Sequence, residues 1–138
     1  MIEARLALVS ILCRDVDAVV RFYAEGFGFV EEESVRSPIY RQLAAGDVAM
    51  GFHARDAYAL LGLDGHDMIA GTRSMLMFEV GSDHEVDAMF VALTELGAGI
   101  HATPYDTYYD ARQAVLSDPE GNVFRINHYR SPHGGVEQ

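Results

Sequence analysis

Cysteine is almost missing from this chain of 138 residues: Cys13 stands alone. No internal disulfide can form, and no zinc site can be built mainly from thiolates. A reducing, cytoplasmic setting fits such usage best. Positive charge is also scarce, with ten Lys and Arg against 21 Asp and Glu and a formal net charge of −11. A field of that sign repels phosphate backbones and anionic headgroups, so neither nucleic acid nor a membrane surface is expected as a partner. No apolar run reaches the roughly 20 residues that span a bilayer. The stretch Leu6 to Cys13 comes after Arg5 and imitates a short targeting signal. The next residues, Arg14-Asp15-Val16-Asp17, contain no small-residue cleavage site, and the run reads as a buried first strand. Low-complexity segments are absent too. With 49% hydrophobic and 22% charged residues the composition is that of a folded globular domain, and the length is that of one.

Half of the chain repeats the plan of the other half. In the first, the apolar run ends at Cys13 and Asp15 offers a helix N-cap. Val16, Val19, Val20 and Tyr23 then recur on one helical face until Gly26 and Gly28. In the second, Met75 to Val80 reads as a strand and Ser82 or Asp83 as a cap. Val86, Phe90 and Leu93 share a helical face, and the helix breaks at Gly97 and Gly99. Three short extended segments come after each helix. In the first half they are Phe29 to Val35, Ile39 to Ala45 and Val48 to His53. In the second they are Gly99 to Thr103, Arg112 to Ser117 and Val123 to Tyr129. Gly46-Asp47 and Asp118-Pro119-Glu120-Gly121 mark the turns. The expected organisation is one domain of two modules, about residues 5–67 and 72–130, with a short helix at Tyr58 to Leu61 before a linker and a frayed tail over 131–138.

The phrase Asp15-Val16-Asp17-Ala18-Val19-Val20-Arg21-Phe22-Tyr23, with Gly26-Phe27-Gly28-Phe29 after it, resembles the opening of vicinal oxygen chelate proteins. These include glyoxalase I, bleomycin resistance proteins and extradiol dioxygenases. Asp118-Pro119-Glu120-Gly121-Asn122-Val123 is similar to that superfamily's turn into its last strand. The resemblance implies an α+β fold in which two βαβββ modules curl an eight-stranded mixed sheet around a cleft, in a homodimer. It also implies four metal-ligand positions, one on the first and last strand of each module, which fall at Leu8, Met50, Met75 and Arg125. None of these suits a catalytic divalent metal, and neither do the neighbours Ala7, Val9, Ala49, Gly51, Ser74, Leu76, Phe124 and Ile126. Neither a metal nor another cofactor is therefore expected.

Alternation along strands that carry those positions puts Leu8, Met50, Phe52, Met75, Met77, Val123 and Arg125 along the cleft. The methionines suit an adaptable apolar pocket, or they fill a closed core. Arg125 must keep its charge, so it clamps a ligand carboxylate or phosphate, or else pairs with an acid such as Glu79 or stays exposed to solvent. Tyr105, Tyr108 and Tyr109 either stack on a planar ligand or pack as a surface loop or dimer contact, and Tyr40 and Tyr58 are weaker candidates for the same wall. Of the histidines, His66, His84 and His133 read as isolated, whereas the fold could gather His53, His101 and His128. Cys13 is expected to be buried and inert. The glycine pairs come after helices rather than before them, so they are not phosphate loops.

Two functions compete on this reading. The first is metal-independent binding of a small organic ligand in an apolar cleft, as bleomycin resistance proteins bind drugs. The second is a lyase, isomerase or dioxygenase of the glyoxalase type that uses a non-standard metal site or a general base. A partner-binding module with a filled cleft is the third possibility.

Overall fold

The computed structural model describes residues 2–66, 71–72 and 74–131. The chain forms two compact units, residues 1–70 and 71–138. The first contains β1 (Leu8–Cys13), α1 (Val16–Phe27), β2 (Val30–Glu31), a 3-10 turn at Glu33–Val35, β3 (Tyr40–Ala45), β4 (Val48–Ala54) and the short α2 (Ala57–Leu60). The second contains β5 (Leu76–Glu79), α3 (Asp83–Glu95), β6 (Gly99–Asp106), β7 (Ala111–Ser117) and β8 (Val123–Tyr129). Each unit is thus a βαβββ module in an α+β fold. The eight strands divide into two four-stranded mixed sheets, ordered β1-β4-β3-β2 and β5-β8-β7-β6. Most of the expected tail, 132–138, lies outside the described residues, as does His133.

Local chemistry sets the boundaries of the helices. The Asp15 carboxylate accepts from the Ala18 N–H at 3.1 Å and caps α1, and Gly28 closes it at φ +72°, a conformation open to glycine without strain. Ser82 caps α3 by accepting from Glu85 N at 3.1 Å. The turn into β8 is organised by buried Asp118, whose Oδ1 accepts from the backbone of Glu120 at 2.9 Å and of Asn122 at 3.1 Å.

In unit one, α1 buries Val19, Val20, Phe22 and Tyr23, and Tyr23 meets Phe52 with ring centroids 5.6 Å apart. Ile11, Leu43, Met50 and Phe52 therefore form the helix-side core, since Ile11 pairs with Phe52 and Leu43 with Met50. In unit two, α3 buries Val86 and Leu93, and the sheet buries Ala114, Leu116, Phe124 and Ile126. Arg112 reaches Asp87 of α3 at 3.0 Å, which fixes that side of β7 as the helix side. Cys13 is buried, as expected of an inert thiol.

Two segments depart from expectation. The stretch Phe29 to Val35 is only a two-residue strand and then the 3-10 turn, because the Glu32 carboxylate accepts from the backbone N–H and the hydroxyl of Ser34 rather than leaving the chain extended. Strand β6 runs on to Asp106, so Tyr105 belongs to a strand and not to a loop.

Candidate functional site

A sheet covered by a helix on one side must present its alternate residues on the other. In unit two, one cross-strand row on that open side is polar in every strand: Glu79 (β5) pairs with Asn127 (β8), Asn127 with Gln113 (β7), and Gln113 with Tyr105 (β6). Gln113 is 3% exposed and Asn127 is fully buried. Burying two carboxamides costs free energy unless their hydrogen bonds are made, so this row is where the unit departs from an ordinary apolar face.

The row is largely satisfied from within. Gln113 Nε2 donates to the Tyr105 hydroxyl at 2.6 Å, while its Oε1 accepts from the Tyr109 hydroxyl at 2.8 Å and from Arg125 Nη1 at 3.4 Å. Asn127 Nδ2 donates to Glu79 Oε1 at 2.8 Å, and the Tyr129 backbone N–H donates to Glu79 Oε2 at 2.7 Å. Asn127 Oδ1 is buried with no hydrogen-bond partner among the described residues, an acceptor left over in the middle of the row. Met77 pairs in register with Arg125, and its sulfur accepts weakly from the Tyr129 hydroxyl at 3.9 Å. Tyr109 and Tyr129 sit 6.2 Å apart, centroid to centroid. The face thus combines hydrogen-bonding amides, one guanidinium, one carboxylate and aromatic edges.

The turn that carries Tyr108 and Tyr109 is held by charge. Arg130 pairs with Asp83 of α3 at 3.0 Å and with Asp106, and reaches Asp110 at 3.8 Å. The Arg130 bond in turn holds the Asp106 carboxyl below the usual carboxylate range.

Of the expected site residues, Met77, Tyr105, Tyr109 and Arg125 come together on this face. Tyr108 touches Tyr109 edge-on at 5.0 Å but is 75% exposed. Met75 is exposed and precedes β5. Glu79, suggested as the partner of Arg125, accepts instead from Asn127 and Tyr129, and Arg125 bonds Gln113. Met50 and Phe52 need correction: they face α1 in the core of unit one, on the opposite side of the sheet from Leu8. Leu8 pairs with Ala49, and the residue it meets is Gly51, where an added Cβ would lie 3.1 Å from Leu8 Cδ2. Gly51, one residue beyond Met50, is thus the residue of β4 that shares the face of Leu8. Sequence reasoning misses Gln113 and Asn127, although each is an amide next to an apolar residue, Ala114 or Ile126, within its strand, and that is the available signal.

The open face of the unit-one sheet holds a smaller polar group. Ser10 Oγ lies 3.1 Å from His53 Nε2, the Tyr40 and His53 rings are 4.7 Å apart, and the Tyr40 hydroxyl donates to Gln42 Oε1 at 2.6 Å. Burial pushes the His53 imidazole below its usual range and the Tyr40 hydroxyl above its own.

The donors present do not fit a catalytic divalent metal. Leu8, Gly51 and Arg125 offer none, and Met75 only a thioether. Among the described residues no group of three or more His, Cys, Asp or Glu stands close enough to hold an ion. The suggested His53, His101 and His128 set draws on both units; within its own unit His53 Nε2 lies 3.1 Å from Ser10 Oγ, and His128 Nδ1 lies 3.1 Å from the Val80 carbonyl.

Residues 5–126 match the profile of the glyoxalase/bleomycin resistance protein/dioxygenase superfamily. No curated protein matches by sequence. Among solved structures, a family enzyme from Burkholderia phytofirmans PsJN is 44% identical, with a TM-score of 0.88 over 91% of this chain and 98% of that one. At fold level, lactoylglutathione lyase from Agrobacterium tumefaciens is similar, with 16% identity and a TM-score of 0.70 over 91% of this chain and 94% of that one. So is the fosfomycin resistance protein FosX from Mesorhizobium loti, with 16% identity and a TM-score of 0.69 over 96% and 97%. The chain belongs to the glyoxalase/bleomycin resistance protein/dioxygenase superfamily.

Proposed function

We propose that this protein binds a small organic ligand without a metal, and that the open face of the β5-β8-β7-β6 sheet supplies the recognition. The observation that carries the reading is the buried polar row Glu79-Asn127-Gln113-Tyr105 with Arg125 bonded to it. A ligand site needs a few oriented polar groups set among apolar and aromatic ones, and the row provides them. Arg125 brings positive charge to a protein of net charge −11, which favours a carboxylate or phosphate on the ligand despite the overall sign. Tyr105, Tyr109 and Met77 supply surfaces for a planar organic body. Family membership supports a homodimer, and the single buried cysteine supports a cytoplasmic location.

Thermal melts with benzoate, benzamide and benzylamine at matched concentration test the charge preference. The expected order of stabilisation is benzoate, then benzamide, then benzylamine, with the benzoate shift lost in Arg125→Ala. Equal shifts from all three, or a benzoate shift that survives in that variant, defeats the anion assignment. Metal analysis of protein purified without chelator tests the other half. One equivalent of Ni, Zn, Mn or Fe that a chelator removes with loss of a ligand response overturns metal independence and favours the glyoxalase-type enzyme. The description of the 44% identical Burkholderia protein as an enzyme is what favours that second reading.

A further inference from the structure

Ser10 and His53 are 43 residues apart, and the β1-β4 pairing brings them together. Ser10 pairs directly with Gly51 and lies exposed on the face opposite α1, while half-buried His53 sits two residues further along β4. The 3.1 Å separation of Oγ and Nε2 is within the reach of a nucleophile and its base. With the imidazole proton on Nδ1, Nε2 accepts the serine hydroxyl hydrogen. Tyr40, from β3, packs its ring on the imidazole and restrains it. Gly51 has no side chain, and the Tyr40 hydroxyl stands in the space a Cβ would take, 2.7 Å from that position. A hydroxyl group thus lies over Gly51, the cross-strand partner of Ser10. Burial favours the uncharged His53 imidazole, the form a general base requires.

We infer that Ser10 and His53 form a base-activated nucleophile that accepts an acyl group from carboxylic esters. As Ser10 Oγ bonds to the ester carbonyl carbon, its proton passes to His53 Nε2. Collapse of the tetrahedral adduct breaks the carbon–oxygen bond to the leaving alcohol, which leaves with that proton. Water, deprotonated by the same imidazole, then attacks the acyl-serine, releasing the carboxylic acid and restoring the hydroxyl. The reaction goes beyond the proposed binding role and uses none of its residues.

The test is reaction of the full chain with p-nitrophenyl acetate, tracking nitrophenolate release and locating the acetyl group by peptide mass. The background is favourable, because the chain contains no lysine and its one cysteine is buried. The expected result is acetylation at Ser10, abolished in Ser10→Ala and slowed about 100-fold in His53→Gln, the usual scale for a lost general base. Should His53→Gln lose its melting transition, His53→Asn is the second variant; Ser10 is exposed, so its truncation leaves the fold intact. Acetyl found on tyrosine or the N-terminus but not on Ser10 overturns the inference. Release from Ser10→Ala at the wild-type rate overturns it as well, since an imidazole acting alone would then explain the reaction.

Discussion

Gln113 is the residue on which the polar row turns, and two substitutions there separate its structural part from its recognition part. Gln113→Leu keeps a side chain of similar size but removes the partner of the Tyr105 hydroxyl, the Tyr109 hydroxyl and Arg125 Nη1. Tyr105 is exposed enough to turn to water, so its loss is small. Tyr109 loses a neutral bond of about 1 kcal/mol, and the guanidinium bond at 3.4 Å is near the outer limit of useful geometry and adds no more than about 1 kcal/mol. Replacing a 3% exposed amide by an alkyl group recovers part of this, leaving a net loss of about 1–2 kcal/mol. For a chain of this length that is a fall in Tm of about 3–10 °C. Gln113→Glu instead keeps Oε1 as an acceptor and replaces the Nε2 donor by a second acceptor oxygen, which makes the Arg125 bond charge-assisted and lets Tyr105 reverse and donate. Stability is expected to stay within about 1 kcal/mol of wild type, while the new carboxylate neutralises the guanidinium and lowers benzoate affinity at least tenfold, about 1.4 kcal/mol. Urea melts and calorimetric titration read the two effects separately. A larger stability loss in Gln113→Glu than in Gln113→Leu, or unchanged benzoate affinity in Gln113→Glu, refutes the reasoning.

Unit one and the last turn offer further perturbations. Gly51→Ala places a Cβ 2.7 Å from the Tyr40 hydroxyl and 2.9 Å from its ring, so Tyr40 must swing and give up its bond to Gln42. A loss of about 1–2 kcal/mol is expected, and the double variant Gly51→Ala/Tyr40→Ala should show a strong coupling in a thermal double-mutant cycle. Glu31 is held by Arg36 and Arg41, both at 2.6 Å, which lowers its carboxyl from 4.5 to about 2. A depressed carboxyl stabilises the fold fully above pH 4.5, and that contribution is lost as pH falls from 4.5 toward 2. Full linkage would be about 3 kcal/mol, and screening through the half-exposed Arg36 brings the expectation to about 1–2 kcal/mol. Urea melts at pH 7 and pH 3 should show that difference in wild type and a clearly smaller one in Glu31→Gln. Asp118→Ala removes the acceptor of Glu120 N, Asn122 N and Asn122 Nδ2 at a buried site. A Tm fall of about 5–10 °C is expected in a thermal melt, since several bonds are lost together.

Most of the fold is legible because its signals are local. Asp15 and Ser82 cap helices by bonds to residues three positions on, and the turn at Asp118 closes on itself within five residues. The repeat of those signals after an interval of about half the chain is what betrays two modules. Strand ends are less legible, since β6 continues past Thr103 only because its partner β7 offers pairing out to Arg112 opposite Asp106. That is a contact between segments, and no single segment carries it.

The site is lost at the same scale. Side chains alternate with a period of two, so a shift of one residue sends every side chain of a strand to the other face. Counting back from Asp15 places Leu8 on the open face, and the strand pairing sets it against Gly51. No comparable landmark comes after β4: Val48 to Ala54 is apolar throughout except at His53, so its alternation is silent about which face is buried. Phe52 and Met50 pass for cleft residues on sequence for that reason, and Tyr23 on α1 is what draws Phe52 to the core. The same silence hides Ser10 and His53, which sit on the open face only because Gly51 does. In β8 the alternation is audible, since Arg125 and Asn127 alternate with apolar Phe124 and Ile126 and so take the other face, and there the expected residue, Arg125, is bonded to the polar row. A face can therefore be read from sequence wherever a strand carries a charge or an amide at its centre, and must be supplied by pairing wherever it does not.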